Sequence, residues 1–303
     1  MSTLPLQLVP VSRTTDRVVW LTSWLALTCG VSLLFIVIVF LVQQVAAGAS
    51  LLPALADFLW VERWVPLANP PRLGIFHAWV ATLFVTLISL VVAVPVGVAI
   101  AVFASELAPP ALRAVLQPAL EVLAGIPSVV YGFFGLVTLV VWIERGFDLA
   151  TGVSMLAAGL IVALMILPFI ASTSAEALAA VPSRFRDAAL SAGVTRTRMI
   201  CRVLIPAALP GIFAGVALGF ARGIGETLAA LMLAGNALSV PSGLLDRGQT
   251  LTGLIATDLG EAAVGTPKYH ALFLAALVLL FIVLAINAAI LLLKRRMLRH
   301  ATD

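Results

Sequence analysis

The residues with the clearest chemical potential in this 303-residue sequence are Arg222 and Glu226, set four apart inside an apolar run. That spacing places both on one face of a continuous helix. An ionised group at membrane depth costs at least ~2.5 kcal/mol by insertion scales, so such residues face protein or a wet pathway. The two are expected to pair with each other. A guanidinium stays charged on burial and offers an oxyanion a fork of donors. Two readings are open: a contact along an anion pathway, and an ion pair that fixes helix packing. Thr227 adds a neutral hydroxyl beside them. Glu121 is the other acid expected to be buried, shortly before the run Leu123 to Gly135. There Pro127 frees a backbone carbonyl, and the flanking glycines permit a kink. Ser128 and Tyr131 are the polar side chains of that run, and a structural kink is the default reading over a direct substrate role.

Other chemistries lack their residues. Cys29 and Cys201 form no CxxC or metal-like cluster and are expected as small packing residues. His77, His270 and His300 form no HExxH motif, so no metal site is expected. Neither Lys268 nor Lys294 follows a glycine-rich stretch, so the chain has no phosphate cradle for hydrolysing ATP itself. It is expected to be no enzyme and to hold no cofactor.

These residues must be positioned by membrane helices. The chain is 62% hydrophobic and 11% charged, with a mean hydropathy of +1.15. Soluble domains are nearer half apolar and about a quarter charged. The formal charge of +4 is too mild to suggest nucleic acid. Six apolar runs qualify as spanning helices, roughly 18–42, 78–103, 115–142, 153–173, 203–234 and 270–293. The first is longer than the core of a signal peptide, about 7–15 residues, and is read as retained. Cations concentrate in the tail 1–17 (Arg13, Arg17), in the loop 174–202 (Arg184, Arg186, Arg196, Arg198, Arg202) and in the tail 294–303 (Lys294, Arg295, Arg296, Arg299). Arg113 joins them on the same side. By the positive-inside rule both termini are cytoplasmic. The segments 43–77 and 235–269 read as irregular or short-helical caps on the opposite face. Ala207, Gly211, Gly215, Gly219 and Gly223 form a small-residue stripe for close helix approach, within the chain or toward another subunit.

The loop 174–202 has a pattern. Ser183 is a candidate N-cap and Gly193 a candidate C′ residue, which predicts a helix between them. Thr195 is expected to cap a second short helix leading through Ile205 and Pro206 into the fifth span. The small Ala188 and Ala189 suit docking against another protein, and Arg184 and its neighbours can reach acidic rims or lipid phosphates. A helix lying on lipid headgroups is the competing reading. The order Asp187, Ala188, Ala189, Gly193, Val203, Pro206 resembles the EAA signature of ABC-importer permeases, with the shorter Asp187 in place of its glutamate. The resemblance implies that this helix docks on an ATPase subunit and transmits its closure.

Further stretches are similar to the membrane subunits of phosphate-specific ABC importers: Leu123–Gly135, Arg222–Leu228, Leu231–Asn236 and Thr250–Ala256. Gly260–Ala263 and Tyr269–Phe273 resemble the PstC type more than its PstA-type partner. The similarity covers about residues 75–300. It implies an all-α integral membrane protein of six transmembrane helices in the ABC type I importer permease fold, with residues 18–293 in a bacterial or archaeal cell membrane. It implies as partners a second related permease, a homodimeric ATPase that binds the ATP and Mg, and an extracytoplasmic binding protein delivering inorganic phosphate. The pathway residues would be Arg222, Glu226, Thr227, Ser128 and Tyr131. The ATPase-coupling residues would be Arg184, Asp187, Ala188, Ala189 and Gly193. A permease for another oxyanion, such as molybdate or sulfate, is the near alternative. A self-sufficient secondary transporter or channel is the distant one. Such transporters often carry an inverted repeat, and none is evident here.

Overall fold

The computed structural model describes residues 13–300, so most of the tail 1–17 and the last three residues lie outside it. The helices are α1 (Arg13–Ala47), α2 (Leu55–Trp60), α3 (Phe76–Val102), α4 (Pro110–Gly125), α5 (Ser128–Phe134), α6 (Val140–Gly146) and α7 (Met155–Ala179). They continue as α8 (Ser183–Ser191), α9 (Arg196–Met199), α10 (Ile205–Ile224), α11 (Leu228–Leu233), α12 (Leu251–Asp258) and α13 (Pro267–His300). Single π turns at Phe103–Leu107, Gly135–Leu139 and Ile200–Leu204 extend or join them. Among the described residues, six helical spans are long and apolar enough to cross a membrane: Trp20–Ala47, Phe76–Leu107, Ser128–Gly146, Met155–Ala179, Arg196–Ile224 and Pro267–Ile290. Six crossings put the start of α1 and the end of α13 on one face.

The core is built around α7, which packs along α3 and α10. Lipid tails are as apolar as leucine, so these helices are held by close packing rather than by escape from water. The small-residue stripe of α10 supplies that closeness within the chain. A Cβ on Gly211 would lie 2.3 Å from the Ala177 Cβ, and one on Gly219 would lie 2.8 Å from Ile170 Cγ1. Gly215 meets Thr173, and Gly223 meets Val162 and the Ser89 hydroxyl. Ala207, at the start of the stripe, is exposed and outside this contact.

The third and fifth spans differ from the expected single helices. The third is interrupted at Ile126–Pro127, so α4 is a separate helix and the crossing is made by Ser128–Gly146. The fifth runs unbroken from Arg196, through Ile205 and Pro206, to Ile224, and then breaks at Gly225–Thr227 before α11. Thr195 occupies the N-cap of α9, but its side chain makes no capping bond. Glu121 was expected to be buried; it is exposed, on α4, lining an open groove with Arg113 and Gln117. Cys29 and Cys201 are likewise exposed rather than packed.

The face opposite the termini is capped as expected, by α2 and α12, with an added two-stranded hairpin pairing Trp64–Val65 (β1) with Arg72–Leu73 (β2). Phe58, Trp64, Leu73, Ile75, Leu254 and Leu272 form its apolar centre. The Trp64 indole N–H donates to Asp258 Oδ2 at 2.7 Å, and Lys268 Nζ lies 3.3 Å from the same oxygen. By contrast, α1 is mostly exposed from Trp20 to Ala47. It touches α13 at its C-terminal end, where Phe40 meets Phe273 edge-on at 5.7 Å and the Gln44 carbonyl meets His270 Nδ1 at 2.7 Å.

Candidate functional site: two broken spans and a basic docking helix

The break in the third span follows from one missing donor. In a continuous helix the Leu123 carbonyl would accept from the N–H of residue 127, and proline has none. The Tyr131 hydroxyl donates to that carbonyl instead, at 2.9 Å. Tyr131 is buried and staples the two sides of the break. Ser128 opens the next helix half-buried, with no hydrogen-bond partner among the described residues.

The break in the fifth span separates the two charges that four-residue spacing would have stacked. α10 ends at Ile224, with Gly225 as its C-cap. Glu226 then turns inward and is 6% exposed. Its Oε1 accepts the Ala229 N–H at 3.1 Å, in the first turn of α11. A carboxylate there satisfies an orphan donor and opposes the positive end of the helix dipole. The Glu226 carbonyl accepts from the Thr252 hydroxyl at 2.8 Å, and Thr252 Oγ1 lies 3.2 Å from Thr250 Oγ1. Thr250 caps α12 by accepting the Gly253 N–H. Across from these, Thr82 of α3 accepts the Leu251 N–H at 2.8 Å. Glu226 is therefore bound into a network joining α11, α12 and α3.

Arg222 goes the other way. It is exposed on the last turn of α10 and has no hydrogen bond or ion pair among the described residues, so the expected Arg222–Glu226 pair is not formed. Thr227, half-buried, donates to the Gly225 carbonyl at 3.3 Å. The two breaks lie close together because α5 packs on α11. A Cβ on Gly132 would be 2.8 Å from Met232 Sδ and 3.1 Å from Ala229 Cα. A residue pattern in α3 could have pointed to this region: Thr82, Thr86 and Ser89 share one face, and each donates to a carbonyl of its own helix.

The basic loop forms its helix where expected. α8 runs Ser183–Ser191, with Pro182 rather than Ser183 at the N-cap. Its end is a Schellman motif. Gly193 has φ 73°, its N–H donates to the Leu190 carbonyl, and the Val194 N–H donates to the Ala189 carbonyl at 3.1 Å. Arg184, Phe185, Asp187, Ala188 and Leu190 are exposed, whereas Ala189 is half-buried against the bundle. One charged residue of α8 is engaged inward: Arg186 makes two bonds to Glu106, with Nη2 to Oε1 at 2.6 Å and Nε to Oε2 at 3.2 Å. No group of three or more metal-ligating side chains occurs among the described residues.

Comparison with known proteins places the chain in a family. Residues 93–299 match the family described as binding-protein-dependent transport system inner membrane component. The probable ABC transporter permease protein YqgH of Bacillus subtilis is 40% identical over 74% of this chain and 72% of that protein. The phosphate transport system permease protein PstC of Xylella fastidiosa is 32% identical over 80% of this chain and 78% of its own length. PstA 2 of Mycobacterium tuberculosis is 36% identical over 57% of this chain and 55% of its own. Among solved structures, the inward-facing MetNI methionine ABC transporter matches with a TM-score of 0.53 at 20% identity, covering 74% of this chain and 94% of that one. An alginate-importing ABC transporter matches with 0.54 at 15% identity, covering 73% and 78%. The chain belongs to the inner membrane component family of binding-protein-dependent transport systems, the permeases of ABC importers.

Proposed function

We propose that the chain forms half of the translocation pathway of an ATP-driven importer of inorganic phosphate, of PstC type. A related permease supplies the other half. A homodimeric ATPase, which binds the ATP and Mg, docks on α8 through Arg184, Asp187, Ala188, Ala189 and the turn at Gly193. An extracytoplasmic binding protein delivers phosphate. The basic loop and both chain ends face the cytoplasm of a bacterial or archaeal cell.

The observation that carries this reading is Arg222: an exposed, unpaired arginine at the end of a broken membrane helix. The helix C-terminus favours a cation there. Its guanidinium fork matches two oxygens of a phosphate. Passage requires a site that binds and also lets go, so a single arginine, with the neutral hydroxyls of Thr227 and Ser128 at the two span breaks, suits transit better than a cage of cations. Glu226 and Tyr131 belong to the pathway as residues that hold its two breaks in place. The similarity to PstC proteins over four-fifths of this chain favours phosphate over other oxyanions.

The test is phosphate uptake by the assembled complex, normalised to complex yield. Arg222→Ala is expected to lower uptake about 10- to 100-fold, the equivalent of a hydrogen bond to a charged group, ~1.5–3 kcal/mol. Arg222→Lys keeps the charge but loses the fork and should be intermediate. Normal uptake by Arg222→Ala removes the pathway reading. Molybdate or sulfate displacing phosphate at equal concentration reassigns the substrate, and uptake without the ATPase subunit points to a self-sufficient carrier.

A further inference from the structure

The π turn Phe103–Leu107, at the end of the second span on the face bearing the termini, is held from two sides. Its own closing bond runs from the Ala108 N–H to the Phe103 carbonyl at 2.7 Å. From α4, Arg113 donates to the Ala104 carbonyl at 2.7 Å and to the Ser105 carbonyl. From α8, Arg186 makes its two bonds to Glu106, whose side chain is 8% exposed. The same guanidinium donates to the Leu178 carbonyl at 2.9 Å and the Val181 carbonyl at 2.7 Å, at the end of α7. One side chain on the proposed docking helix therefore ties that helix to the ends of the second and fourth spans. Through the π turn and Arg113 it also reaches α4, the helix that leads into the Pro127 break.

We propose that Arg186 and Glu106 are the positioning pair that passes movement of α8 to the second span, so that ATPase closure and the pathway move together. This rests on the reading of α8 as the ATPase docking helix. The outward side chains of α8 meet the partner; Arg186 alone among its charged residues faces the bundle. A bidentate guanidinium–carboxylate contact resists both sliding and rotation, which a single point contact does not. The chain offers no equal substitute, because among the described residues no other hydrogen bond or ion pair joins an α8 side chain to the second span.

The experiment uses the full complex with its partner permease, ATPase and binding protein in proteoliposomes. Glu106→Gln, Arg186→Lys and the double variant are compared for bound ATPase, ATP hydrolysed and phosphate taken up per complex. Each single variant should retain its ATPase subunits and hydrolyse ATP within twofold of the parent, while phosphate moved per ATP falls at least tenfold. The double variant should be no worse than the worse single, as expected when two residues act through one contact. Unchanged phosphate per ATP in either single variant overturns the proposal, as do losses that multiply in the double variant. Failure of the conservative variants to assemble, or loss of bound ATPase, also overturns it, because the pair then serves folding or docking rather than transmission. The docking reading is checked separately with Gly193→Pro, which breaks the α8 terminus: retained ATPase and coupling there would sink that reading while leaving the Arg186–Glu106 results to be judged on their own.

Discussion

At the residue scale, three side chains carry distinct duties that their types alone do not reveal. Arg222 has no hydrogen-bond or ion-pair partner among the described residues, Glu226 holds a helix terminus, and Tyr131 replaces the donor that Pro127 lacks. The Tyr131 assignment has a direct consequence. Tyr131→Phe removes the hydroxyl partner of the Leu123 carbonyl at a part-buried break, at an expected cost of about 0.5–1.5 kcal/mol, the net worth of one hydrogen bond. Thermal unfolding in detergent should shift down while the phosphate concentration giving half-maximal uptake stays the same. The reverse, unchanged unfolding with weakened phosphate dependence, would make Tyr131 a ligand rather than a staple. The polarity of Arg222, Glu226 and Tyr131 at membrane depth was legible in the sequence. Their separation was not, because four-residue spacing implies a shared face only while the helix continues, and Gly225 ends it.

At the element scale, the fold depends on how closely α10 approaches α7. The stripe Gly211, Gly215, Gly219 and Gly223 is readable as a close-packing face, but only its neighbours show that the partner lies within the same chain. Gly219→Leu drives a branched side chain into Ile170 and is expected to destabilise the chain by about 1–3 kcal/mol. Ala207→Leu, at the exposed end of the same stripe, should change the stability of the isolated chain little. Equal melting of the two variants in detergent would show that the stripe does not bear on folding. The end of α8 tells a similar story. Gly193 was identifiable as a C′ residue because its left-handed φ is easy for glycine and rare for others. The inward duty of Arg186, next to the outward Asp187, was not, since adjacent helical residues point about 100° apart and sequence does not say which direction is occupied.

At the scale of the whole molecule, six spans among the described residues put the start of α1 and the end of α13 on one face, and the arginines of 174–202 lie on that face too. By the positive-inside rule that face is proposed to be the cytoplasmic one. The expectation is checked by thiol labelling in intact cells after Cys29 and Cys201 are replaced by serine. An impermeant reagent should modify Val264→Cys, which sits on the opposite face at 82% exposure, and should spare Ser191→Cys on α8. Modification of Ser191→Cys without permeabilisation would invert the topology and remove the ATPase from α8. The same scale explains α1. Among the described residues its main helix contact is with α13, and from Trp20 to Ala47 it presents an apolar surface suited to lipid or to a neighbouring subunit.

Composition and run length alone establish a six-span membrane protein, because about 20 consecutive apolar residues have no other stable solution in a bilayer. The capped helix 183–191 and the proline interruption were equally local, since each depends on the backbone limits of one or two residues. The tertiary structure decided what those local features meet. The Leu123 carbonyl is claimed by a residue eight positions on. Glu226 is held by a threonine twenty-six residues away, and Arg186 by a glutamate eighty residues back. Such bonds depend on which helices lie side by side, and that is set by small-residue contacts between α3, α7 and α10 rather than by the polar residues themselves.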